Sequence, residues 1–373
     1  MTFECEGYSK NDEDSFEERV EKEPSNEKLR VFSAKAFVDD LLENGSNIPC
    51  DNSIEEFNRE GLPKFYNEVY FKRGQDFFWN NAFSLLFCKF LGLILTLSSP
   101  SILAVLKMTK MSGSPMTAYR RYVSTLFHLH LWYESELSSD SRSMRSMKRV
   151  KVSHNTASSQ ANSIDRPPIT QKDMVLTQFG FMGFCIARTE FIGIHGARKE
   201  DLEGFVHFWK VIGSIMGIQD RFNLSRDSLE ETREICEELI NRVFRPFVEK
   251  RDPDFLEMTS YLTDGLWYAD PQLNHRVFLS ILYDILRPIE SLSVENLRDS
   301  EEYFPLTIIE RLYYRTILFG VRYMMKYNVV RIFLNIKHQI FMWILHRIPL
   351  LAVCAFGYEN AIVSIESNHC KMH

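Results

Sequence analysis

The stretch from Ala82 to Leu106, AFSLLFCKFLGLILTLSSPSILAVL, carries one charge, Lys89, and has to be taken out of water. As a single helix it would be long enough to cross a bilayer. Lys89 and the break Ser98-Ser99-Pro100-Ser101 argue instead for two buried helices meeting at a turn, since proline removes a helix donor and clashes with the preceding turn. Two such helices need a large core around them, and 373 residues can supply one. No stretch alternates apolar and polar residues with period two, whereas many segments repeat apolar residues at helical spacing. The expected class is all-α.

Helices are expected at Ala34–Glu43 (stopped by Asn44-Gly45), 117–134, 173–187 and 200–218. In the last of these Leu202, Phe205, Trp209, Ile212 and Met216 form a core stripe. A capping box, Ser228 with Glu231, opens a helix expected to run to about Lys250 and to bury Cys236, Leu239, Val243 and Phe247. Further helices are expected at 274–287, 305–326 and 328–348. Residues 135–170 are rich in serine and bases and end in Pro167-Pro168, which predicts a long loop with a short helix around 142–154. The implied organisation is an acidic, largely disordered extension (1–62), one large helical domain (63–327), and an apolar C-terminal helix with its tail (328–373).

Charge and cysteine narrow the setting. The formal net charge of −6 is uneven: residues 1–60 hold 17 acids against 7 bases, and residues 1–30 are too poor in apolar groups to bury themselves. No basic stripe dominates the remainder. The one cluster, Arg142 to Lys151, lies in the serine-rich stretch, so nucleic acid is not an expected partner. Seven scattered cysteines with no CxxC pair offer neither a disulfide framework nor a zinc site, and a reducing compartment fits them best. The acidic N-terminus is not a secretory signal. Residues 329–357 are apolar but carry Arg331, Lys337, His346 and Arg347, which a spanning helix would tolerate poorly. Two readings stay open for them: an interfacial helix with Phe341 and Trp343 dipping into lipid, and an aromatic core helix with snorkelling bases.

The common catalytic motifs, GxGxxG, GxxxxGK[ST], HExxH and GxSxG in a strand-turn-helix setting, are absent. What stands out is TAYRRYVSTLFHLHLWYE (117–134), where Arg121, Thr125, His128 and Trp132 share one face at 100° per residue. A cation, a hydroxyl and an imidazole along one stripe of an apolar helix must find partners when buried. His128 and His130 lie on opposite sides of that helix and cannot hold one metal together. His154 falls in the polar stretch, where a solvated histidine is the default expectation.

The runs AYRRYVSTLFHLHLWY, VKVSHN, ITQKDMVLTQFGFMGF and EDLEGFVHFWKVIGSIMGIQDRF resemble the latex clearing protein (rubber oxygenase) family. They are also similar to the catalytic domain of the fungal ER-bound oxygenase of mycophenolic acid synthesis. The resemblance covers roughly residues 65–250. It rests on Arg-x-x-x-Thr (Arg121, Thr125) followed by a histidine, His154, 33 residues after the arginine. It implies a globin-like helical core holding haem b, with His154 as the iron ligand and Arg121, Thr125 and His128 around the cofactor. Arg121 would face a propionate or the reacting oxygen and Thr125 would hydrogen-bond nearby, these two being the catalytic residues. His128 reads more as packing.

Two features depart from the family. Ser124 stands where rubber oxygenases place a distal lysine, and residues 101–116 contain no acid to serve as a base. The function implied is a haem-dependent oxygenase using dioxygen on an apolar, isoprenoid or lipid-like substrate, on the cytosolic face of the ER membrane or in the cytosol. The alternative is a non-enzymatic haem- or lipid-binding protein that docks on membranes through residues 329–357.

Overall fold

A computed structural model of the chain describes residues 32–50, 62–164, 166–288 and 304–365. The acidic tail at 1–30 lies outside the described residues. Helices follow one another through the rest, and no strand occurs among the described residues beyond one isolated bridge, Pro49 with Thr170. The all-α expectation holds.

The chain enters through α1 (Ala34–Glu43), capped by the Ser33 side chain on the Ala36 N–H. Val38 and Leu41 are fully buried, so residues assigned from sequence to the extension pack onto the helical unit that runs from Ser33 onward. Next come α2 (Glu68–Asn80) and α3 (Ala82–Leu97), bent by 93° at Asn81. The sequence reading had assigned no element to α2. Then α4 (Pro100–Thr109) starts at the proline, as expected for a residue whose missing N–H costs nothing in a first turn. The apolar block is thus two helices, and α3 is buried along nearly its whole length. α5 (Pro115–Glu134) follows, with a reciprocal capping box between Ser114 and Thr117.

The expected loop at 135–170 is not a loop. Residues Arg142–Ser163 form α6, a 22-residue helix capped by Ser141 on the Met144 N–H. Its inward face is Ser143, Met144, Ser146, Met147, Lys151, Ser158 and Ala161. Small and polar side chains let α6 approach its neighbours closely, and they remove the apolar periodicity by which a helix is read from sequence. Lys151 Nζ donates to the carbonyls of Cys50 (2.6 Å) and Met216 (2.8 Å), an anchor that tertiary contact supplies where helix propensity is weak.

The centre is built by α7 (Gln171–Ala187) and α8 (Lys199–Ile215) against α3 and α2. Two glycine contacts set these crossings. A Cβ on Gly92 of α3 would lie 1.7 Å from the Gly180 carbonyl oxygen of α7, and one on Gly74 of α2 would lie 2.5 Å from that of Gly204 on α8. Only glycine permits helices this close.

Then α9 (Leu229–Leu239) runs into a π-helical turn at Ile240–Phe244 and α10 (Arg245–Glu249). The Ser228 hydroxyl accepts from the Glu231 N–H, while the reciprocal half of the expected capping box is absent. The wider turn rotates the inner face, so Phe244 and Val248 are buried beside Val243 while Phe247 stays half-buried. α11 (Pro253–Trp267), not anticipated from sequence, packs against α5, and α12 (His275–Ile285) against α3. Last come α13 (Ile308–Arg322), α14 (Asn328–Arg347), α15 (Leu350–Phe356) and the short α16 (Tyr358–Ala361). α14 is tied to the α2–α3 corner: Asn335 donates to the Asn80 carbonyl (2.8 Å) and accepts from the Phe83 N–H (3.1 Å).

Candidate functional site

α5 and α6 form an antiparallel pair, and Ser146 is its clasp. The Trp132 indole donates to Ser146 Oγ at 2.8 Å, and that hydroxyl lies 2.7 Å from His128 Nδ1. The Ser146 hydroxyl, with one proton and two lone pairs, accepts from the indole and shares a second hydrogen bond with His128 Nδ1. One turn earlier on α6, the Ser143 hydroxyl donates to the Leu131 carbonyl at 3.1 Å. Burial first, and Arg149 second, push the His128 pKa down to about 4. His128 thus sits at the contact between the two helices.

From that clasp both helices run about 10–12 Å, at 1.5 Å per residue, to Arg121 on one and His154 on the other. The antiparallel pairing puts the two at the same level of the pair, and Arg121 acts electrostatically on His154. Burial, then Arg121, then Lys151 push the His154 pKa down to about 4, so the ring is neutral at ordinary pH. Its Nδ1 is buried and has no hydrogen-bond partner. The Arg121 guanidinium is half-buried, and desolvation lowers its pKa. Among the described residues no carboxylate pairs with it, and Tyr122 is its named electrostatic neighbour. Thr125 sits one turn from Arg121 on the same face, half-buried, with its hydroxyl donating to the Arg121 carbonyl at 3.1 Å. That proton is committed to the helix, and only the oxygen lone pairs are left for a ligand.

Sequence-selected Arg121 and His154 are thus brought together, Thr125 lies beside them, and His128 lies two turns away on Ser146. Sequence reasoning missed Ser146 and Lys151, which set the α5–α6 pairing, because a serine-rich segment read as a loop carries no expectation of contact. The basic cluster it did note contains Lys151 and Arg149, both of which bear on the histidines. No group of three or more His, Cys, Asp or Glu side chains suited to a metal ion occurs among the described residues. A ligand set made by the protein alone is therefore not present there. A centre needing one imidazole, with its other ligands supplied by a macrocycle, requires no such group.

No protein-family model matches the chain, and no curated protein matches it. Among solved structures it is similar to latex clearing protein in the closed state. That match has a TM-score of 0.44 and 16% identity, and covers 83% of this chain and 88% of the other.

Proposed function

We propose that the α5–α6 face binds haem b, with His154 as the protein ligand to iron and Arg121 facing an anionic edge of the cofactor, and that the protein is an oxygenase acting on an apolar, isoprenoid or lipid-like substrate. One observation carries the reading: a neutral, half-buried imidazole whose Nδ1 is buried and unbonded lies within electrostatic reach of a desolvated guanidinium that no carboxylate pairs with among the described residues. The unbonded His154 Nδ1 is an unmet buried polar atom of the kind that costs about 1–3 kcal/mol. His154 would hold haem at its iron and Arg121 would pair with its carboxylates, so one molecule would engage both groups.

When bound, haem supplies the dioxygen chemistry. The residues of this chain do the rest. His154 stays deprotonated because burial and Arg121 hold its pKa at about 4. Arg121 orients a negative group without losing its own charge. Thr125 presents oxygen lone pairs one turn away. The Ser146 clasp keeps the two helices in register, so that Arg121 and His154 stay opposed.

The test is an absorption spectrum of haem-supplemented protein. A Soret band that is lost or shifted in His154→Ala, and weakened in Arg121→Met, supports the assignment. No Soret band in the parent protein sinks it. Dioxygen uptake with a cleaved apolar product then separates an oxygenase from a protein that only binds haem.

A second reading concerns attachment. α14 and the segment after it expose Val329 (79%), Phe333 (65%), Trp343 (59%) and Leu350 (65%). Between Arg311 and Tyr358 there are seven Lys and Arg and no acid. Residues 328–356 have the length and hydropathy of a span, yet Arg331, Lys337 and Arg347 and the break at Ile348-Pro349 favour lying in the interface. The partner proposed is an anionic bilayer surface, met from the cytosolic side. The ER is the membrane that the family resemblance suggests.

A further inference from the structure

On the side of α5 opposite the Arg121 stripe, three nitrogen-bearing side chains meet around one ring. Phe78 of α2 is the hub. Lys89 Nζ of α3 lies 4.3 Å from its centroid, and the His130 (α5) and His338 (α14) rings stand edge-on to it at 6.3 Å each. The two imidazoles are 6.0 Å apart. His338 is 2% exposed and neither of its ring nitrogens has a hydrogen-bond partner, and His130 Nδ1 is likewise buried and unbonded. Lys89 is 4% exposed and has no ion pair or hydrogen bond among the described residues.

The aromatic rings meet the ammonium only in part. Lys89 Nζ lies over the Phe78 and Tyr133 rings, 4.3 Å and 4.4 Å from their centroids. Such cation–π contacts ease its charge but give its three N–H groups no hydrogen-bond acceptor.

The cluster needs acceptors. Its electrostatic neighbours are its own members and the thiols of Cys88 and Cys185, none of them a carboxylate. A metal cation would sit beside a lysine with no acid to balance it, and no third His, Cys, Asp or Glu completes a site. Water would accept two bonds at most and leave the positive charge uncompensated. A carboxylate accepts up to four hydrogen bonds and neutralises Lys89.

The walls beyond the nitrogens are apolar. Trp79 packs edge-on against His130 at 4.9 Å, and Phe341 lies 6.5 Å from His338. α14, which supplies His338 from its inner side, exposes Ile336, Ile340 and Trp343 on its outer side. An acid with an apolar chain can therefore place its head among the nitrogens and run its chain out along α14.

We propose that Lys89, His130 and His338 form the head-group pocket for a single-chain amphiphilic carboxylate of the fatty-acid class. The site shares no residue with the haem reading and stands independently of it.

The experiment titrates full-length, haem-free protein with [1-13C]dodecanoate below its micelle concentration, reading the carboxyl resonance, with dodecanol as the uncharged control by calorimetry. One saturable site is expected, at least tenfold weaker for dodecanol and at least tenfold weaker in Lys89→Met and His338→Leu, with His154→Ala unchanged. Thermal melts check that the variants are folded. If a variant is not folded, the acid-against-alcohol comparison on the parent protein decides. The proposal is overturned by the absence of saturable binding, by equal affinity for acid and alcohol, or by undiminished binding in folded Lys89→Met.

Discussion

A buried base that gives up its proton near neutral pH links fold to pH. Burial holds Lys89 at about 7, against an ordinary value of 10.5, and no carboxylate among the described residues offsets it. Unfolded chains keep that lysine protonated up to about pH 10.4, so between about pH 7 and 10 the unfolded state binds the extra proton. Stability then rises with pH, at up to about 1.4 kcal/mol per pH unit. Lys89→Met, nearly isosteric and uncharged, is expected to flatten that slope in urea melts of ligand-free protein and to raise stability near pH 7. An unchanged slope means that the ammonium is compensated in the fold.

The histidines act at the acid end. His128, His130 and His154 titrate at about 4 and His338 at about 3 in the fold, mainly through burial. Unfolded, each takes its proton near 6.5, so stability present above pH 6.5 is lost as pH falls toward 4, at up to about 1.4 kcal/mol per pH unit for each ring. Melts at pH 7, 5.5 and 4.5 should show this loss well above the carboxylate range. A melting temperature flat down to pH 4.5 contradicts it.

Among the elements, α6 shows tertiary contact creating a helix. Ser146 serves two partners at once, and Ser146→Ala strands the Trp132 N–H and His128 Nδ1. At about 1–3 kcal/mol for each stranded group, a loss of about 2–6 kcal/mol is expected in equilibrium unfolding. Hydrogen exchange should accelerate along α5 and α6 before the rest of the chain, and uniform acceleration would mean that the clasp is not local. The α3–α7 crossing is the opposite kind of dependence, with no tolerance at all. Gly92→Ala puts a methyl carbon 1.7 Å from the Gly180 oxygen, so the helices must separate, and a loss above about 4 kcal/mol or failure to fold is expected.

For the molecule as a whole, the exposed apolar residues concentrate in the last helices, where the chain also lacks acids from Arg311 to Tyr358. Flotation with vesicles containing about one third phosphatidylserine should carry the protein, and raising salt to about 0.5 M should release much of it by shortening the Debye length. Ile336→Glu combined with Ile340→Glu should abolish flotation while leaving the Soret band of haem-supplemented protein in place. Retention through alkaline carbonate would instead require a segment that spans the bilayer.

Much of this architecture is written in local pattern. The apolar block with its proline break dictates α3 and α4, because a helix cannot carry a proline past its first turn. Periodic apolar stripes mark α5, α7, α8 and α9, and the face shared by Arg121, Thr125 and His128 follows from helix geometry alone. Tertiary structure decides the rest. α6 gains its helix from partners rather than from an apolar stripe, and the π-helical turn in 240–244 rotates a face that a uniform 3.6-residue period places elsewhere. The opposition of Arg121 and His154 depends on the antiparallel α5–α6 pairing. His338 reaches Lys89 and His130 only because α14 docks on the α2–α3 corner through Asn335, and no local pattern encodes contact between residues some 200 positions apart. Periodicity reports which side of a helix avoids water, and only packing determines what that side meets.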